Sequence, residues 1–108
     1  MPTFERLPHF RADFARLDPG EREAFLAALE KFIDSLKAWE AAGMRGRPEF
    51  PADLRVKDVK GKQNRGVWEM TWEWPDGRAT FSFGAPVQAG KTHVIWRRVG
   101  THRVFKNA

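Results

Sequence analysis

The residues best able to do chemistry gather in the second half of the chain. Arg78 follows the turn sequence Pro75-Asp76-Gly77 and alternates with Ala79, Phe81 and Phe83, so it faces away from the apolar side of its strand. Glu69, in the alternating run from Val67 to Trp74, falls on the same face of the neighbouring strand. Alone, a cross-strand Glu–Arg pair is a solvated ion pair contributing less than ~1 kcal/mol. Its company gives it more interest. Lys57 and Lys60 lie on the preceding strand, Arg97 and Arg98 on the last, and His102 follows that strand beyond Gly100. An imidazole among arginines suits proton transfer near neutral pH. His9 and His93 stand outside this company and read as ordinary surface histidines.

These groups need a framework, and its elements can be read from periodicity. Thr3 to Glu5 suits a short edge strand, and Phe10, Phe14 and Leu17 recur at helical spacing. Asp18-Pro19-Gly20-Glu21 then opens a second helix: Asp18 as N-cap, Pro19 at the first helical position, Glu21 completing a capping box. That helix buries Phe25, Leu29, Phe32, Leu36 and Trp39, with Leu26 and Ile33 widening the stripe, and stops at Gly43. Residues 44–53 are broken by glycine and proline. Beyond them the period becomes two, over Leu54–Lys57, Val67–Trp74, Arg78–Phe83 and Thr92–Val99, with a basic turn from Gly61 to Gly66. The fold class expected is α+β, an N-terminal helical hairpin on one face of a mostly antiparallel sheet of four to five strands. The sheet's other face is expected to be polar and basic. Trp68, Trp72 and Trp74 then belong mainly to the core.

Length and composition narrow the field. The chain has 108 residues, the size of one domain, and 42% of them are hydrophobic, enough for a single core. It carries no cysteine, which excludes a disulfide scaffold, a cysteine-ligated metal and a thiol nucleophile. Its three histidines lack carboxylates at ligand spacing, and neither a phosphate-binding glycine loop nor a nucleophile elbow is present, so no metal and no cofactor are expected. No apolar run reaches membrane-spanning length and the N-terminus has no apolar signal core, so a cytoplasmic location without membrane contact is expected. Residues 1–52 hold eight Lys/Arg against nine Asp/Glu, and residues 53–108 hold eleven against five, so the whole net charge of +5 comes from the second half. Cations gathered in this way suit a polyanion such as nucleic acid, or serve solubility alone.

Taken together, the segment Leu54-Arg55-Val56-Lys57-Asp58-Val59-Lys60-Gly61, the stretch Trp68-Glu69-Met70 running into Gly77-Arg78-Ala79-Thr80-Phe81, and the ending Trp96-Arg97-Arg98-Val99-Gly100-Thr101-His102-Arg103-Val104-Phe105 resemble the RelE/ParE superfamily of type II toxins. The resemblance covers about residues 4 to 106. In its RelE-like branch it implies an endoribonuclease that cuts messenger RNA, usually on the ribosome, and is silenced by a cognate antitoxin. The RNA's own 2′-hydroxyl attacks the adjacent phosphate without a metal, leaving a cyclic phosphate and a 5′-hydroxyl. Carried over by position, Arg78 stabilises the developing charge, Arg98 assists it, His102 is the general acid or base, and Glu69 is a second candidate base. Lys57 and Lys60, with Arg97, Arg103, Phe105 and Lys106, would hold the RNA.

The chain departs from that pattern in having no tyrosine. Many ribonuclease members place one near the C-terminus. Phe105 keeps the stacking surface there without an ionisable group, so proton transfer rests more heavily on His102. The ParE branch shares the fold, lacks the catalytic set and acts on DNA gyrase. A non-toxic RNA-binding domain is a third possibility.

Overall fold

The computed structural model describes residues 1–73 and 76–101. Along the chain run β1 (Thr3–Arg6), α1 (Pro8–Arg16), α2 (Pro19–Ala41), β2 (Lys57–Asp58), β3 (Val67–Glu73), β4 (Gly77–Gly84) and β5 (His93–Gly100). The strands form one sheet in the order β1-β5-β4-β3-β2. The β1–β5 pair is parallel, with Thr3 opposite His93 and Arg6 opposite Trp96, and the other pairs are antiparallel. Tight turns can join only antiparallel neighbours, and β1 reaches β5 through the whole intervening chain. The two helices pack on one face, so the expected α+β arrangement is the one that forms. Among the described residues no helix is long and apolar enough to cross a membrane.

Local chemistry sets the bend between the helices. Asp18 accepts the Glu21 N–H at 2.8 Å, and the Glu21 carboxylate accepts the Asp18 N–H at 2.9 Å, the full capping box. Arg22 reaches back to donate to the carbonyls of Phe14 (3.3 Å) and Ala15 (2.7 Å) in the last turn of α1, where the Phe14 carbonyl also accepts the Leu17 N–H. From α2, Phe25, Ala28, Phe32 and Leu36 are buried at helical spacing. Phe32 sits centrally: Phe81 meets it edge-on at 4.9 Å, Trp96 lies at 5.2 Å, and Phe50 stacks on it at 5.2 Å. Leu26 does not join the stripe as expected. It is 52% exposed, because one residue past Phe25 turns it about 100° away from the sheet.

A buried carboxylate ties the end of α2 to β5. Glu40, its side chain 8% exposed, accepts the Thr92 N–H at 2.7 Å and faces the Met1 ammonium at 3.1 Å. Burial pushes its pKa up, but these donors outweigh that and hold it below the ordinary glutamate value.

Two expectations about the sheet need correction. Leu54–Lys57 is not a strand. Ala52–Leu54 form one 3₁₀ turn behind Pro51, Leu54 is buried, and Arg55 takes a left-handed conformation (φ 45°, ψ 47°), so pairing begins at Lys57. Nor is the face opposite the helices uniformly polar. Val67, Ser82 and Ile95 stand in register across it, and Val67, Thr71 and Thr80 are buried.

Candidate catalytic face

On that second face Lys57, Glu69, Thr80 and Arg98 form one cross-strand row, and Thr71, Arg78 and Gly100 form the next. Glu69 and Arg78 are thus diagonal neighbours, close enough for long side chains to meet. They do: Arg78 Nε lies 3.3 Å from Glu69 Oε1, with both side chains less than one-fifth exposed. The Lys57 ammonium stands 3.8 Å from the same oxygen. A carboxylate between two cations is a group that can take a proton beside groups that can neutralise an anion.

The placement of Arg78 begins with a bulge. Pairing of β3 with β4 shifts between Thr71 and Glu73, leaving Trp72 without a direct partner. The Trp72 indole N–H donates to the Arg78 carbonyl at 2.7 Å. A glycine must precede Arg78, since a Cβ on Gly77 would lie 2.8 Å from the Trp72 ring and 2.9 Å from the Glu73 backbone nitrogen. The arginine is therefore held through its own backbone by a core tryptophan.

Arg98 has a partner that sequence reasoning missed. Asp13, on α1, accepts from Arg98 Nε at 2.7 Å and Nη2 at 3.2 Å, and from the Val99 N–H at 3.2 Å. The last β1–β5 backbone bond beyond the strand, Leu7 N–H to Trp96, lies just before this level. Past it α1 replaces the strand, and its carboxylate takes up the edge N–H that β1 no longer reaches. The signal for Asp13 was present: a carboxylate on the Phe10, Phe14, Leu17 stripe of α1, where an apolar residue is the norm.

The remaining candidates are dispersed. Arg97 occupies a second bulge, where the β4–β5 register steps from Arg98 to Trp96, and its Nε is buried without a hydrogen-bond partner among the described residues. Lys60 is exposed and follows β2 rather than lying on it, its carbonyl accepting from Asn64. His102, Arg103, Phe105 and Lys106 lie outside the described residues. His93 is a correction: it is buried, with Thr3 Oγ1 at 2.9 Å from Nδ1 and Glu5 Oε1 at 3.3 Å from Nε2. Gly84 opposite leaves it room, for a Cβ there would stand 2.9 Å from the imidazole. This histidine joins β1 to β5 instead of facing water.

No protein-family model matches the sequence, and no curated protein matches it. Similarity lies in the backbone. A YoeB/ParE toxin from Agrobacterium tumefaciens superposes with a TM-score of 0.51 at 12% identity, covering 93% of this chain and 98% of the other. This chain and that toxin therefore share one fold, two helices on a five-stranded sheet.

Proposed function

We propose that this chain is the toxin of a toxin–antitoxin pair and a metal-independent endoribonuclease acting on messenger RNA at the ribosome. The observation that carries the reading is the Lys57–Glu69–Arg78 cluster on the sheet face opposite the helices. Intramolecular transesterification of RNA requires a base for the 2′-hydroxyl, cations for the phosphorane oxygens and an acid for the 5′-oxygen. In this reading Glu69 takes the 2′-hydroxyl proton as the 2′-oxygen attacks phosphorus. Arg78 stabilises the charge gathering on the phosphate. The P–O5′ bond then breaks, and His102 supplies the proton that leaves a 5′-hydroxyl. Arg98 assists, and because Asp13 binds its fork through both oxygens it is the weaker of the two arginines. Lys57, Lys60, Arg97, Arg103, Phe105 and Lys106 hold the RNA backbone and bases, a cytoplasmic antitoxin silences the face, and neither cofactor nor membrane takes part.

Growth on unopposed expression tests the proposal. Wild type arrests growth, while Arg78→Ala and His102→Ala, at equal abundance, relieve the arrest. Full toxicity of both variants overturns the assignment, and arrest with intact messages and a DNA-damage response moves the target to gyrase.

A further inference from the structure

Outside the catalytic row, the segment between α2 and β2 builds an open cleft of about 500 Å³ at the sheet's β2 edge. Arg47, Phe50, Arg55, Lys57, Asp58 and Trp68 are among its walls. Trp68 is a fixed platform, since Phe81 stacks on it at 6.4 Å and Phe83 meets it edge-on at 5.9 Å. The Arg47 guanidinium lies over the indole at 4.3 Å and is anchored by Asp58 at 3.3 Å. Phe50 is pinned in turn by its stack on Phe32. Lys57 belongs both to this wall and to the Glu69 cluster, so the cleft continues the catalytic face around the sheet edge. Three cations against one carboxylate, beside a flat aromatic–guanidinium stack, match a ligand that is anionic along its length and carries flat rings. An acidic peptide would use the charges and leave the stack unused.

We infer that this cleft is a subsite for a nucleotide flanking the scissile bond, its base stacked on the Arg47–Trp68 pair and its phosphate near Lys57. The inference rests on RNA being the ligand of the catalytic face. β4 and β2 are two strand spacings apart, about 10 Å, and Trp68 faces the helix side, so the same RNA strand reaches it by passing the β2 edge beside Lys57.

The test is fluorescence anisotropy with labelled 2′-O-methyl RNA, which cannot cleave itself, three or eight nucleotides long. Wild type binds the longer RNA more tightly, and Arg47→Glu shrinks that gain by at least about fivefold. Arg47→Lys, which keeps the charge without the planar fork, also loses part of it. Arg47 is exposed, so both variants fold, as circular dichroism will verify. An Arg47→Glu protein with the wild-type gain overturns the subsite. The nuclease reading then stands or falls separately on whether Arg78→Ala abolishes cleavage. Arg47-dependent binding of a polyglutamate peptide, with no length dependence for RNA, also overturns the subsite and makes the cleft a protein contact.

Discussion

Asp13 and Arg98 stand 85 residues apart in sequence and meet at 2.7 Å, with the aspartate side chain 5% exposed. The same carboxylate accepts the Val99 N–H, so it closes the end of β5 against α1. Asp13→Ala removes the carboxylate that accepts from the Arg98 guanidinium and from the Val99 N–H. The expected loss is about 2–4 kcal/mol, discounted for the partial exposure of Arg98. Urea unfolding checks it: the midpoint falls while the slope stays unchanged.

Arg78 is expected to matter to chemistry more than to folding. Arg78→Ala should cut RNA cleavage by about 10²–10³-fold, the loss typical of removing one donor to a transition-state oxyanion. Stability should fall by about 1–2 kcal/mol, since a largely buried ion pair and the hydrogen bond to the Gly77 carbonyl are lost while Lys57 still faces the carboxylate. Arg78→Lys should not restore the rate, because an ammonium cannot supply the planar fork. Single-turnover kinetics on a synthetic RNA measure both variants.

Gly77 and Gly20 should respond in opposite directions to alanine. At Gly77 the new methyl meets the Trp72 ring and Glu73 backbone, so Gly77→Ala should cost about 1–3 kcal/mol and lower activity by displacing Arg78. At Gly20, within α2, an added Cβ would stand 3.4 Å from the Asp18 carboxylate, an ordinary contact, and Gly20→Ala should stabilise by up to about 1 kcal/mol. Thermal melts of the two variants read the contrast directly.

Glu40 links stability to acid. Its folded pKa lies below the ordinary value, so its contribution is fully present above the unfolded pKa. That contribution is lost as pH falls through the lowered folded value. Glu40→Gln should therefore be less stable than wild type at neutral pH, and the gap should narrow as the medium is acidified below the ordinary glutamate range. Urea unfolding at pH 7 and pH 3 measures it.

How legible these features were depends on whether their cause is local. The capping box at Asp18 and Glu21, the Phe25–Leu36 stripe and the alternation of β3 and β4 are carried by neighbouring residues, and the fold class followed from them. Register decided the rest. That Glu69 reaches Arg78 was readable from two strands sharing a turn. The bulge at Trp72 and the parallel seat of β1 on β5 depend on packing between distant segments. His93 became a buried link for that reason, and Arg98 acquired Asp13. Leu54 misled because alternation over four residues fits a strand, whereas Pro51 and its own burial favoured a turn.

The central claim is that the Glu69–Arg78 face cleaves RNA by 2′-hydroxyl attack. The most direct measurement incubates purified protein with messenger RNA on ribosomes, with ribosome-free RNA alongside, and maps the chemistry of the new ends. Wild type should produce 2′,3′-cyclic phosphates and 5′-hydroxyls that disappear in Arg78→Ala. Intact RNA with wild type, or equal cleavage by Arg78→Ala, would contradict the account.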